Sequence, residues 1–263
     1  MSTLVLNVTI VQADLHWHEP EKNRQAFSET LQRMERPADL VVLPEMFSTG
    51  FTMEAQAHAE RMDGPSVAWM TATAKQTGAV VCGSLVIRDG DRYFNRCILM
   101  RPDGNFDYYD KRHLFRLAGE HEHYSPGSGL VTFRIGDWRV RPLVCYDLRF
   151  PAWSRNRGDY DLLVYAANWP EPRHHAWATL IQARAIENLS YVAAVNRVGT
   201  DGNGIRYIGG SAIIDPFGHH LTPVTDEPGL WSAALDLEEL KAVREKFPFH
   251  VDADRFELEA PAV

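Results

Sequence analysis

Three reactive side chains stand directly behind apolar, strand-like runs of this 263-residue sequence. Glu45 closes DLVVLPE (39–45), Lys111 closes FDYYDK (106–111) and Cys145 closes RPLVC (141–145). A thiol is a strong nucleophile once deprotonated, but a free pKa of about 8.5 leaves little thiolate at neutral pH. A neighbouring carboxylate can take the proton, and an ammonium can stabilise the resulting negative charge. Cleaving an amide also requires oxyanion stabilisation, which an ammonium and a backbone N–H at a strand-to-helix turn supply. This chemistry needs no metal. Taken singly, each residue has a plainer reading. A glutamate after a strand sits in solvent or caps a helix, a lysine after a turn is exposed, and a cysteine in so apolar a run belongs to the core.

The elements that would position these groups alternate along the chain. TLVLNVTIV (3–11) is rich in β-branched residues, as a strand is. EPEKNRQAFSETLQRMER (19–36) has apolar residues at helical spacing, with Pro20 where a first turn tolerates it. The continuous apolar run at 39–45 marks a strand covered on both faces. GPSVAWMTATAKQTG (64–78) reads as a helix with Pro near its start and Gly at its end. Residues 79–111 read as three consecutive strands, with turns at Asp89-Gly90-Asp91 and Pro102-Asp103-Gly104. A hairpin follows over 130–147 across Gly136-Asp137, then strands at 161–170, 190–198, 209–218 and 230–237, with a helix near 173–189. Helices among mixed strands imply layered α/β packing, in which sites collect beyond the carboxyl ends of strands. The pattern alone does not say whether there is one sheet or two. Without repeats or linkers, residues 1–263 read as a single domain.

The segments LVVLPEMFSTGF, YYDKRHLF and LVCYDLRFP resemble the Glu–Lys–Cys motifs of the nitrilase, or carbon–nitrogen hydrolase, superfamily. NWP (168–170) and ARAIENLSYVAAVNRVG (183–199) extend the likeness, which spans about residues 3–240. The resemblance implies a four-layered α-β-β-α sandwich and a homodimer, with residues 238–263 a tail involved in dimer contacts. It implies that Glu45 takes the Cys145 proton, that the sulfur attacks the substrate carbonyl, and that Lys111 and the Tyr146 N–H hold the oxyanion. Glu45 then protonates departing ammonia and activates the water that hydrolyses the thioester. Many members carry a second glutamate after the lysine and ahead of a PG turn. Glu120 in AGEHEHYSPG takes that place, with Glu122 the alternative, and would orient Lys111 and the substrate amide.

KRHLFR, LVCYDLRFPAWSRN and YAANWPEPR resemble the ω-amidase branch, which hydrolyses monoamides of small dicarboxylic acids such as 2-oxoglutaramate and succinamate. Such a substrate carries a carboxylate. Arg116, Arg149 and Arg173 are candidates to grip it with paired hydrogen bonds, and Phe51, Tyr146 and Trp169 to form apolar walls. Hydrolysis of another small amide, a nitrile or an N-carbamoyl compound is the alternative. A non-enzymatic binding module would be expected to show a broken triad, whereas here all three residues are present.

The remaining composition excludes other classes. A formal net charge of -8 without a basic stripe argues against nucleic-acid and membrane partners and leaves a small-molecule amide. The start lacks a basic leader and a cleavage site. Three cysteines make no closed disulfide set, which fits the cytoplasm. Cys82 and Cys97 read as core, and Arg184 and Glu187 as an ion pair one helical turn apart. His113, His121 and His123 lie near one another, but zinc sites want tighter ligand sets, and neither metal nor cofactor is expected. His174-His175 and His219-His220 read as ordinary loop or helix-start residues.

Overall fold

A computed structural model describes residues 4–258. The first half of the chain builds one sheet and its helical cover. Its elements are β1 (Val5–Gln12), α1 (Pro20–Leu31), β2 (Leu40–Val42), α2 (Ala55–His58), α3 (Pro65–Thr77), β3 (Val80–Asp89), β4 (Arg92–Met100) and β5 (Phe106–Asp110). The second half contributes α4 (Glu120–His123), β6 (Phe133–Ile135), β7 (Trp138–Val144), α5 (Pro151–Ser154), β8 (Leu162–Ala166), α6 (His174–Asn188) and β9 (Tyr191–Val195). It ends with β10 (Val198–Thr200), β11 (Arg206–Ile208), β12 (Ala212–Ile214), β13 (Gly229–Asp236) and α7 (Leu237–Lys246).

Two main sheets result, ordered β13-β1-β2-β3-β4-β5 and β12-β9-β8-β7-β6, with β10 and β11 forming a separate ribbon. Period-two alternation explains their stacking. Leu6, Val8, Ile10, Leu40, Val42, Cys82, Cys97 and Leu99 face inward and belong to a core that continues into β7, β8 and β9 of the second sheet. The intervening Val11, Val41, Val81, Ile98 and Met100 point outward, where they meet Phe27 and Leu31 of α1 and Val67, Met70 and Ala74 of α3. On the far side, Trp177, Ile181 and Ala185 of α6 cover the second sheet. The layers are therefore α-β-β-α, and the central strands β2, β8 and β9 are apolar on both faces because both faces are covered. Pro65 opens α3 and Gly78 closes it in the left-handed conformation at φ 71°.

The expected strand order holds, but some boundaries move. The run at 39–45 pairs only over Leu40–Val42. Beyond it the chain peels from the sheet, and β3 holds it through Met46 N–H to Ser84 Oγ (2.8 Å) and Phe47 N–H to the Ser84 carbonyl (3.1 Å). The expected strand 190–198 breaks at Asn196, whose side chain bonds the backbone of Trp169 and Gly209 (2.9 and 2.8 Å). Its far half becomes β10 of the ribbon. Of the tail, α7 packs on its own chain: the Arg244 guanidinium bonds Asp161 Oδ1 (2.7 Å) and the carbonyls of Leu189 and Tyr160 (2.8 and 3.0 Å). Residues 259–263 of that tail lie outside the described residues.

Candidate active site

Strand direction brings the three reactive residues to one end of the sandwich. β2 runs parallel to β3, and the meander β3-β4-β5 turns β5 back parallel to both. Glu45 and Lys111 therefore leave the first sheet at the same end. In the second sheet β7 and β8 are parallel, with Val144 paired to Ala166, so Cys145 and Asn168 emerge together. Asn168 then staples the two ends. Its N–H donates to Glu45 Oε2 (2.9 Å) and its side-chain amide to the Glu45 carbonyl (2.6 Å). The Cys145 sulfur lies 3.8 Å from the Asn168 carbonyl.

Cys145 opens a 3-10 turn, Cys145–Arg149, and its φ is +42°. A left-handed conformation in a residue with a Cβ costs about 1–2 kcal/mol and persists only where the surroundings fix it. Asp147 does the fixing. Its carboxylate accepts from Val144 N–H (3.0 Å), Tyr109 O–H (2.8 Å) and His113 N–H (3.0 Å), and pairs with His113 Nδ1 (2.7 Å). The same carboxylate thus ties the cysteine turn to the segment following β5. At the second position of the turn, the Tyr146 N–H has no acceptor within the turn itself.

Lys111 is fully buried, as are Glu45 and Glu120. Its ammonium lies 2.9 Å from Glu45 Oε1 and 2.9 and 2.8 Å from the two oxygens of Glu120. Asn95 of β4 donates to both carboxylates, at 2.8 Å to Glu45 and 3.2 Å to Glu120. Burial alone would lower the lysine pKa, but the charges of Glu120 and Glu45 outweigh it and raise it above the ordinary range, so the ammonium stays charged. Burial pushes the Glu120 carboxyl up against the pull of Lys111, and Glu45 adds to the rise. Burial also pushes the Cys145 thiol well up, with the Glu45 charge adding to the rise and Lys111 opposing it. The resting sulfur is accordingly a thiol.

A cavity of about 340 Å³ opens over these groups. Phe51, Tyr146 and Trp169 line it, as do Arg149 and Arg173. Arg149 lies over the Trp169 ring (4.9 Å) and Arg173 over Phe115 (5.0 Å). Among the described residues neither guanidinium forms an ion pair, which leaves both open to an anion. Arg116 is a correction: it is exposed in the turn Arg116–Ala118 and does not line the cavity, because that turn directs Phe115 and Ala118 there instead. Of the two candidate glutamates, Glu120 reaches Lys111 while the Glu122 side chain is 68% exposed. The ribbon adds Asp201, Ile205 and Tyr207 to the lining.

The other paired residues fall into ordinary places. Cys82 and Cys97 are buried neighbours with sulfurs 3.6 Å apart, and Arg184 pairs with Glu187 at 2.8 Å. His113, His121 and His123 do not converge: His113 stacks on Phe150 (3.7 Å) and pairs with Asp147, while His121 lies beside Glu122. Sequence reasoning missed Asn95, Asn168 and the bracing role of Asp147. Asn168 sits in the quoted NWP segment and Asp147 two residues past the nucleophile candidate, so both had a signal. Asn95 has none, since only the β4–β5 register carries it to Lys111.

Known proteins resemble this chain in sequence and fold. The family model for carbon–nitrogen hydrolases matches residues 7–245. The ω-amidase YafV of Escherichia coli K12 is 46% identical over 254 residues, covering 96% of this chain and 98% of its own. A 2-oxoglutaramate amidase of Bacillus subtilis is 34% identical over 250 residues, covering 93% and 96%. The crystal structure of XC1258 from Xanthomonas campestris, a CN-hydrolase superfamily protein with an arsenic adduct in its active site, superposes with a TM-score of 0.95. It is 43% identical and covers 97% of this chain and 99% of its own.

Proposed function

Because the chain belongs to the carbon–nitrogen hydrolase family and is an amidase of that type, we propose that it is an ω-amidase. Its substrates are monoamides of small dicarboxylic acids, 2-oxoglutaramate and succinamate among them. The observation that carries this reading is a cavity with two arginines, Arg149 and Arg173, that form no ion pair among the described residues, over a buried cysteine, lysine and two glutamates. A guanidinium grips a carboxylate bidentately, and the apolar walls of Phe51, Tyr146 and Trp169 suit a short methylene chain between carboxylate and amide.

The geometry supports the following sequence. Glu45 takes the Cys145 proton as the sulfur attacks the amide carbon, since a thiol with a raised pKa has no standing thiolate to offer. The oxyanion lies against the Lys111 ammonium and the Tyr146 N–H. Glu45 returns the proton to the departing nitrogen, and ammonia leaves a thioester. Water enters, Glu45 removes its proton, the thioester is hydrolysed, and the sulfur recovers its proton. Glu120 orients Lys111 through both its oxygens. The names of two relatives, ω-amidase and 2-oxoglutaramate amidase, support the substrate class.

The same reading takes the chain as one catalytic domain that works as a homodimer in the cytoplasm. Three free cysteines support that compartment. Phe249, Val251 and Phe256, exposed beyond α7, support a pairing surface. Ammonia release from 2-oxoglutaramate and succinamate, beside glutamine, asparagine, a simple nitrile and an N-carbamoyl amino acid, tests the function. Turnover confined to the first two is expected, and preference for any of the others overturns the substrate assignment.

A further inference from the structure

A second chemically capable cluster lies at the rim of the cavity, apart from the cysteine. His18, in the segment between β1 and α1, meets Glu54 and His58 of the α2 turn. Each offers one ligand atom, and the three atoms lie within 4.8 Å of one another. Glu54 and His58 stand at i and i+4, the spacing that puts two side chains on one face of a helical turn. Their facing atoms, Glu54 Oε2 and His58 Nε2, are 3.8 Å apart. The rings of His18 and His58 lie side by side, with centroids 3.8 Å apart.

The position of His18 is imposed rather than relaxed. Its φ is +57°, in the left-handed region, and its N–H donates to the Thr49 carbonyl (3.0 Å). Trp17 stacks on its ring at 4.3 Å. One hydroxyl, Thr52 Oγ1, bonds both His18 Nε2 (2.9 Å) and the Glu54 N–H (3.0 Å), so it fixes two members of the cluster together. A non-glycine residue held in this conformation is a place to look for function.

We propose that His18, Glu54 and His58 form a binding site for one divalent transition-metal ion of the zinc class at the rim of the cavity. Two imidazoles and a carboxylate are the borderline donors such ions select, and three protein ligands leave a fourth position for water. In a tetrahedral site with bonds of about 2.0–2.1 Å, ligand atoms stand roughly 3.3 Å apart. The three atoms, within 4.8 Å of one another, must close in by side-chain rotation to reach that spacing, and Glu54, 67% exposed, has solvent around it in which to turn. Glu54 also lines the cavity, so the ion would place positive charge on its rim. The site stands whether or not the chain is an ω-amidase, because its test needs no turnover.

The test is equilibrium dialysis of the chelator-stripped, full-length protein against zinc chloride, with the metal quantified. The same is done for His18→Ala, His58→Ala, Glu54→Gln and Cys145→Ala, each first checked for a native thermal transition. One equivalent is expected in the native protein and in Cys145→Ala, with affinity at least tenfold weaker in each histidine variant. Cobalt provides the second readout: ligand-field bands without a thiolate charge-transfer band place the ion on nitrogen and oxygen. Failure of the native protein to retain zinc overturns the proposal. So does retention unchanged in both histidine variants, or a thiolate band that vanishes in Cys145→Ala.

Discussion

The ammonium of Lys111 contacts both oxygens of Glu120, at 2.9 and 2.8 Å, but only one oxygen of Glu45, at 2.9 Å. Glu120 is further committed by the Phe115 N–H, 2.6 Å from its Oε2. Both oxygens of Glu120 are therefore occupied by donors that do not change during a proton transfer. Glu45 is also held at both oxygens, by Lys111 and Asn95 at Oε1 and by the Asn168 N–H at Oε2. What distinguishes the two carboxylates is that Glu120 grips the ammonium with two oxygens and Glu45 with one.

Replacing Glu45 separates basicity from thiol acidity. Glu45→Gln is expected to lower kcat by at least about 10³-fold, since in the proposed mechanism it removes the group that moves the proton in each step. It also removes a negative charge that raises the Cys145 pKa. Alkylation by iodoacetamide should then titrate at lower pH than in the native enzyme. A pH profile of alkylation that moves upward, or stays in place, would contradict this electrostatic account.

Lys111 and Glu120 should fail differently. Lys111→Met leaves two carboxylates buried without their cation, which costs about 3–5 kcal/mol when one partner of a buried pair is removed. Loss of both activity and thermal stability is expected. Glu120→Gln keeps the shape and loses one charge, so the fold should survive while kcat falls about 10²-fold with KM little changed. Thermal melts beside steady-state kinetics distinguish the two.

The arginines provide a test of substrate polarity. Arg149→Gln and Arg173→Gln are each expected to raise KM for succinamate about 10- to 100-fold, the value of a charge-assisted hydrogen bond of about 1.5–3 kcal/mol. Neither should change KM for an uncharged amide of the same length. Arg116→Gln should change neither, because that side chain is outside the cavity. Equal effects on charged and uncharged amides would remove the arginines from carboxylate binding.

Acid sensitivity has a specific source in Asp161. Burial raises its pKa, but hydrogen bonds from Arg139 and the charges of Arg139 and Arg244 outweigh burial and hold it below the ordinary 3.8. A depressed folded pKa contributes stability that is present above the unfolded value and is lost as pH falls through the folded one. Asp161→Asn should therefore lower the melting temperature at pH 7 and shrink the gap to the native protein below about pH 3.8, near the unfolded aspartate value. A gap that is constant with pH would mean the carboxylate is not what matters.

Most of the strand order was legible because period-two alternation and turn residues are local signals. The β3-β4-β5 meander and the Gly136-Asp137 hairpin stood in the sequence at nearly their observed places. Glu45, Lys111 and Cys145 were legible for a related reason, each following an apolar run whose end the sheet defines. What depended on register was not. Asn95 looks like any other residue of a strand until β4 pairs with β5, and the exclusion of Arg116 from the cavity rests on a single 3-10 turn. His18 and His58 are brought together by tertiary packing alone. The tail illustrates a third case: resemblance alone relates residues 238–263 to a dimer contact, and nothing in the sequence signals that α7, N-capped by Asp236, is clamped to its own chain by Arg244 in its last turn.

The pairing of β1 with β13 joins strands far apart in the sequence over eight residues, from Val5 opposite Asp236 to Gln12 opposite Gly229. During synthesis, β1 leaves the ribosome long before its partner. Until residues 229–236 emerge, one edge of β1 keeps its backbone donors and acceptors open, and β2 offers only three residues on the other. An open edge is a template for pairing with another chain, and long-range strand pairing is slow. The nascent chain therefore carries this adhesive edge until β13 emerges, and stalled or truncated products that lack β13 are expected to be prone to aggregate.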